Sequence, residues 1–187
     1  MKMGLDLLLD SPMIAAVKSE AELEKALHSE CHVVFLLFGT LLDMHQLVQR
    51  VHDRDKICFV HIDLVDGLSS RDIAVDYIHN LAHPDGIIST RAPFIRRAKQ
   101  LGLSTVQRMF MLDSLSLKNI FIQMETTCPD FLEILPGVIP AIIQEITEKT
   151  SIPLIAGGLI RSKQDVIQAL QAGAVAVSTS CQAVWNM

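Results

Sequence analysis

The sequence predicts a short, single-domain (β/α)8 barrel of the TIM type, and three observations carry that expectation. Eight short apolar runs, often β-branched and nearly free of charge, punctuate the 187 residues. Strands buried on both faces of a parallel sheet have this character. Amphipathic stretches with helical spacing separate the runs, and strict alternation of strand and helix implies right-handed βαβ units. Eight such units average about 23 residues each, which short loops allow, and eight units close into a barrel. An open doubly wound sheet of five or six strands is the competing reading, and it would demote two of the runs to helix or loop.

The elements follow in order. Run 13–17 precedes Ser19-Glu20-Ala21-Glu22, a capping box ahead of Leu23 and Leu27. Run 33–37 leads to a helix with Met44, Leu47, Val48 and Val51 on one face. Run 57–62 is followed by the face Ile73, Tyr77, Ile78 and Leu81. After run 86–89, Pro93 suits a first helical turn and Gly102 closes the helix. Run 105–111 leads to Leu117, Ile120, Phe121 and Met124, and run 131–135 to Ile139, Ile142, Ile143 and Ile146. Run 153–156 is followed by Ser162-Lys163-Gln164-Asp165, a cap for a helix through Val166 and Leu170 to Gly173. Run 174–177 is the last strand, and 181–187 forms a final short turn with Trp185 packed onto the body. Residues 1–11 read as an N-terminal extension and 12–187 as the barrel domain, with no linker or low-complexity segment between them.

Composition narrows the function. Half the residues are apolar and mean hydropathy is +0.35, which excludes a disordered chain. No stretch approaches the ~18 consecutive apolar residues of a membrane span. Leu7-Leu8-Leu9, flanked by Asp6 and Asp10, is too short and too acidic in its flanks for a secretory signal. Sixteen Lys and Arg against 21 Asp and Glu give a net charge of −5, which argues against a protein that coats nucleic acid by bulk charge. Cys31, Cys58, Cys128 and Cys181 form no C-x-x-C pair, so neither a zinc site nor a redox motif is expected. With no signal and no disulfide pattern, a cytoplasmic protein is expected.

In an α/β barrel ligands sit at the carboxyl ends of the strands. Two neighbouring ends stand out here. Gly157 and Gly158 end the seventh run, and Ser178, Thr179 and Ser180 end the eighth. Glycine lets the backbone approach an anion, helix N-termini favour negative charge, and barrels often hold a phosphate after strands seven and eight. The functional reading of these five residues is a phosphate site; the plain reading is that the glycine pair only permits tight strand–helix packing. Arg108 and Glu133 are charges within apolar strands on adjacent runs, either a structural ion pair or a pair that orients a polyol hydroxyl or a carboxylate. Asp63 has the same ambiguity, and His61 reads equally as a hydrogen-bonded core residue or a base. The remaining histidines read as surface residues.

Several chemistries find little support. Lys18 is the one lysine at a strand's carboxyl end, where a Schiff-base enzyme would want it in a dry pocket. Asp63 and Glu133 are too few for a metal-dependent phosphodiesterase, so no metal and no cofactor are expected. Walker, G-x-G-x-x-G and G-x-S-x-G motifs do not occur. Arg91, Arg96, Arg97 and Lys99 form a basic segment that reads as a solvated helix face or as an RNA-contact candidate.

Longer motifs then point to a family. His61-Ile62-Asp63-Leu64-Val65-Asp66-Gly67-Leu68, Gly86-Ile87-Ile88-Ser89-Thr90-Arg91 and Gln107-Arg108-Met109-Phe110-Met111-Leu112-Asp113-Ser114 resemble the glycerol-3-phosphate-responsive antiterminators. So do Glu133-Ile134-Leu135-Pro136-Gly137-Val138-Ile139-Pro140 and Ile155-Ala156-Gly157-Gly158-Leu159-Ile160, and the resemblance runs from about Pro12 to Trp185. It implies a short (β/α)8 barrel and a non-enzymatic regulator of glycerol metabolism and uptake genes. Such a regulator would bind glycerol 3-phosphate and then a messenger RNA leader, preventing premature termination of transcription. The phosphate would lie at Gly157, Gly158, Ser178, Thr179 and Ser180, with the glycerol hydroxyls facing Asp63, Arg108 and Glu133. One departure stands out: where the family usually has Asn and a basic residue before a Leu-Trp pair, this chain has Cys181, Gln182, Ala183 and Val184 before Trp185. Two other functions fit the same residues: a barrel enzyme acting on a small phosphorylated polyol with Asp63 or Glu133 as base, and a metabolite sensor with a protein partner. Self-association into a homo-oligomer would add avidity for RNA.

Overall fold

Eight parallel strands pair in sequence order: β1 (Met13–Val17), β2 (Val33–Leu36), β3 (Ile57–His61), β4 (Gly86–Ser89), β5 (Ser104–Phe110), β6 (Phe131–Leu135), β7 (Leu154–Gly157) and β8 (Ala176–Thr179). In this computed structural model, which describes residues 5–187, β8 pairs back onto β1 through Met13↔Val177, Ile14↔Ser178 and Ala15↔Thr179. The sheet is therefore a closed barrel and not an open doubly wound sheet. Of the expected extension over 1–11, residues 1–4 lie outside the described residues, and the rest contains helix α1 (Leu5–Asp10).

Helices cover the outside: α2 (Glu20–Leu27), α3 (Met44–His52), α4 (Ile73–Ala82), α5 (Ala92–Gln100), α6 (Ser114–Thr127), α7 (Pro140–Lys149) and α8 (Lys163–Gln171). Their starts are set by local chemistry. Ser19 accepts a hydrogen bond from the Glu22 amide at the head of α2, but the Glu22 carboxylate reaches one residue further back, to the Lys18 amide at 2.7 Å. The capping box forms in full at α8, where Ser162 and Asp165 satisfy each other's amides. After β8 the chain makes only a 3₁₀ turn (Gln182–Val184), so Trp185 stands in for an eighth outer helix. It is buried as the sequence predicts, and its indole Nε1 donates to the Thr179 carbonyl at 2.8 Å.

Alternation along each strand sorts the core into two shells. Outward residues such as Val34, Val60, Ile87, Leu132 and Val177 pack against the helices. Inward residues Ile14, Val33, Phe35, Ile57, Phe59, Val106, Phe131, Ile155 and Ala176 fill the lower barrel, and Leu8 of α1 is fully buried among them. Phe35 and Phe59 meet at 5.6 Å between ring centroids. Two strand boundaries differ from the sequence reading. The third strand stops at His61 and turns at once into a 3₁₀ segment (Ile62–Leu64), which takes Asp63 off the sheet. The eighth strand begins two residues later than expected, so Ser178 and Thr179 belong to the strand and face opposite sides of it.

Candidate ligand site at the carboxyl end of the barrel

The inward positions change character toward the carboxyl ends of the strands. Above Phe59, Val106, Phe131 and Ala176 come His61, Arg108, Glu133 and Ser178, all buried. The β5–β6 register sets Arg108 opposite Glu133. Arg108 Nε donates to Glu133 Oε2 at 2.6 Å, and Ser178 Oγ donates to Glu133 Oε1 at 2.5 Å. Glu133 is completely buried, so both oxygens need these donors to offset desolvation. Gly157 explains itself here: a Cβ on it would lie 2.6 Å from Glu133 Oε1 and 2.8 Å from Ser178 Oγ. The sequence reading gave Gly157 to phosphate; the structure puts it beside the carboxylate, as the clearance that lets Glu133 cross the barrel.

Above this polar layer lies a cavity of about 650 Å³ at the mouth of the barrel. Of the predicted site residues it is lined by Arg108, Glu133, Gly158, Ser178, Thr179 and Ser180; Gly157 and Asp63 do not line it. The terminal nitrogens of Arg108 meet no protein acceptor among the described residues, so its guanidinium offers a pair of donors to whatever occupies the cavity. The loop after β7 adds more donors. Gly158 and Leu159 both have positive φ, 73° and 62°, and Leu159 is an exposed side chain in a conformation costly for anything but glycine. The amides of Gly158, Leu159, Ile160 and Ser180 find no protein acceptor among the described residues. Successive free amides in such a turn form a concavity suited to an anion. The hydroxyls of the strand-eight cluster behave differently. Ser178 serves Glu133, and Thr179 Oγ1 donates to the Ile160 carbonyl at 2.7 Å while accepting from the Cys181 amide at 3.0 Å. Thr179 thus fixes the β7 loop onto β8, and Ser180 is the member of the trio left open to the cavity.

Two cavity residues escaped the sequence reading as ligand contacts. In the sequence Lys18 reads only as a strand-end lysine and Arg161 carries no assigned role; both line the cavity and are exposed. The available signal was a basic residue just beyond Gly157-Gly158-Leu159-Ile160, whose neighbouring acid, Asp165, is committed to the α8 cap.

The other predicted residues lie elsewhere. Asp63 accepts from Ser89 Oγ at 2.8 Å, from the Thr90 amide at 2.7 Å and from Thr90 Oγ1 at 2.9 Å, and Arg91 Nε stands 3.8 Å away. It clamps the loop after β4 to the end of β3. In the basic segment, Arg97 pairs with Asp76, Lys99 donates to the Cys128 carbonyl, and Arg91 lies 5.2 Å over the Phe94 ring. Only Arg96 of the four has no partner among the described residues. His61 is buried with Nδ1 unpartnered; burial, reinforced by the nearby Arg108 charge, lowers its pKa to about 4, so the ring is neutral near pH 7. His52, expected at the surface, is half-buried and holds Asp85 Oδ2 at 2.9 Å. Among the described residues, no group of three or more His, Cys, Asp or Glu stands ready to hold a metal ion, and no helix is long and apolar enough to cross a membrane.

Fold and site define a (β/α)8 barrel with a polar, donor-rich cavity at the carboxyl ends of its strands. The chain belongs to the glycerol-3-phosphate responsive antiterminator family, whose model matches residues 13–185. It is 38% identical over 183 residues to the uncharacterized protein YgcP of Escherichia coli (strain K12), covering 98% of this chain and 96% of that protein. Its fold is shared with the glycerol uptake operon antiterminator regulatory protein of Listeria monocytogenes str. 4b F2365, at a TM-score of 0.91 and 36% identity over 94% of this chain and 95% of that one. A glycerol uptake operon antiterminator-related protein of Thermotoga maritima MSB8 matches at a TM-score of 0.83 and 31% identity, covering 94% of this chain and 98% of that chain.

Proposed function

We propose that this chain is an effector-gated transcription antiterminator of the cytoplasm, which binds glycerol 3-phosphate in the barrel mouth and, so loaded, a messenger RNA leader of glycerol-metabolism genes. The observation that carries the ligand half of this reading is the pairing of two unlike donor sets on one cavity. The free amides of Gly158, Leu159, Ile160 and Ser180 suit the phosphate. Arg108 and Glu133 suit hydroxyls, because a hydroxyl can accept from the open guanidinium and donate to a spare carboxylate lone pair. The family match supplies the RNA half. Family and site both favour a regulator over an enzyme: Glu133 is held by Arg108 and Ser178, and Asp63 by Ser89 and Thr90, so neither candidate base is poised to take a proton.

Binding at residues from five different strands ties the β1, β5, β6, β7 and β8 ends to one another. An effector with higher affinity for that closed arrangement shifts the population toward it, and RNA that prefers the same arrangement is bound more tightly by the same factor. The test is retention of a labelled leader RNA across a salt series, with and without glycerol 3-phosphate. The expected result is tighter retention with the effector at every salt concentration, with log affinity falling linearly in log salt. Retention indifferent to the effector would refute gating.

A further inference from the structure

We propose that Lys18 and Arg161 form a clamp across the cavity mouth that reads the second negative charge of the bound phosphate. The site then selects dianionic phosphate monoesters over phosphodiesters and carboxylates of similar size. The inference rests on the reading that the effector's phosphate sits at the ends of β7 and β8, and adds to it the charge class of the ligand and the two residues that set it.

The placement comes from the sheet. β8 lies between β1 and β7, so Lys18, just past β1, and Arg161, in the loop after β7, flank Ser180 from opposite sides. Both cationic heads are without a protein partner among the described residues, while both backbones are pinned. The Lys18 amide donates to Glu22 Oε2 at 2.7 Å, and the Arg161 amide donates to Asp165 Oδ2 at 2.9 Å. The acids close in sequence are committed elsewhere, Glu20 to Arg50 and Glu22 and Asp165 to the main chain, which holds each base at the rim and leaves its charge uncommitted.

The charges on the cavity wall decide the rest. Its ionised side chains are Lys18, Arg108, Glu133 and Arg161. Arg108 and Glu133 offset each other at 2.6 Å, which leaves two positive charges facing the ligand. A phosphate monoester carries close to two negative charges near pH 7, with its second pKa at about 6, whereas a diester or a carboxylate carries one. Opposite charges in a shared, partly dry cleft form charge-assisted hydrogen bonds about twice as strong as neutral ones. No histidine lines the cavity, and His61 beneath Arg108 is neutral above about pH 4, so between pH 5 and 7.5 the ligand itself is what titrates. The Cys181 thiol also lines the wall.

The experiment is calorimetric titration of the full chain with glycerol 3-phosphate, its methyl phosphodiester and glycerate, at pH 5 and pH 7.5. Glycerol 3-phosphate should bind roughly tenfold more tightly at pH 7.5, following its dianionic fraction. The diester and glycerate should bind about tenfold more weakly than the monoester at pH 7.5. Lys18→Met and Arg161→Met should each weaken binding about tenfold, the double variant should lose the pH dependence, and Lys163→Met, on α8 but outside the cavity, should change nothing. Unaltered affinity in both single variants, or a diester bound as tightly as the monoester, overturns the clamp while leaving the phosphate site intact. Failure of the wild-type chain to bind any of the three overturns the site itself. Matching circular dichroism melts confirm that each variant is folded.

Discussion

At the lower end of the barrel, Leu8, Phe35, Phe59 and Ile155 fill the interior with aliphatic and aromatic carbon; a layer higher, on the same inward parity, His61, Arg108, Glu133 and Ser178 fill it with charge and hydrogen bonds. Both layers are almost completely closed to solvent. The lower one gains from burial in the ordinary way, at roughly 25 cal/mol per Å² of apolar surface. The upper one gains little by comparison, since a buried ion pair is often no better for stability than apolar side chains of the same volume. A layer with that energetic profile lies directly beneath a cavity whose walls carry open donors, which is where the proposed effector site needs it. The contrast predicts that the lower half governs stability alone and the upper half governs stability and ligand affinity together.

The strongest challenge to that contrast is Glu133→Leu. It strands Arg108 in the interior without its partner, and unfolding should become easier by about 4 kcal/mol in urea titrations, with loss of glycerol 3-phosphate binding. Adding Arg108→Met should recover most of the stability and none of the affinity. A double variant that still binds would reduce the polar layer to scaffolding. Leu8→Ala tests the other end: about 3 kcal/mol of stability lost, and effector affinity unchanged in the folded protein. His61 gives the comparison a pH signature. Its folded pKa of about 4 lies below the unfolded value near 6.5, so the unfolded chain binds the extra proton between those values and stability falls as pH drops through that window. The His61 contribution to the loss should reach about 2 kcal/mol at pH 5, and His61→Phe should remove it from the pH–stability curve. The smallest effect belongs to Trp185→Phe, which keeps a six-membered aromatic ring but deletes the indole donor to the Thr179 carbonyl, a lost hydrogen bond worth about 1 kcal/mol in thermal melts.

Much of the fold was legible before any coordinates. Runs 13–17, 86–89 and 131–135 match β1, β4 and β6 residue for residue, and Ser162 with Asp165 forms the capping box at α8 that its spacing announces. The misreadings sit where a strand ends. Asp63, one residue past run 57–62, reads as a charge at the strand's end that could face the ligand; the 3₁₀ turn that carries it away is tied to Ser89 and Thr90, some 26 residues further on. Arg97 and Lys99 looked like free positive charge because Asp76 and the Cys128 carbonyl, which hold them, lie on neighbouring elements. Arg108 and Glu133 could be flagged as improbable charges in apolar strands, but that they face each other depends on the β5–β6 register.

The sequence by itself determined the eight strands, the alternating helices between them, their parallel arrangement and the family, because hydrophobic period, caps and local motifs are properties of neighbouring residues. The tertiary structure alone decided which charges meet, which amides go unpaired and which two bases, Lys18 and Arg161, stand over the cavity. Those outcomes depend on register and barrel closure. Register joins residues such as Arg108 and Glu133, 25 positions apart, and closure joins β1 to β8 across more than a hundred and fifty; a one-residue slip in register would turn each inward group outward.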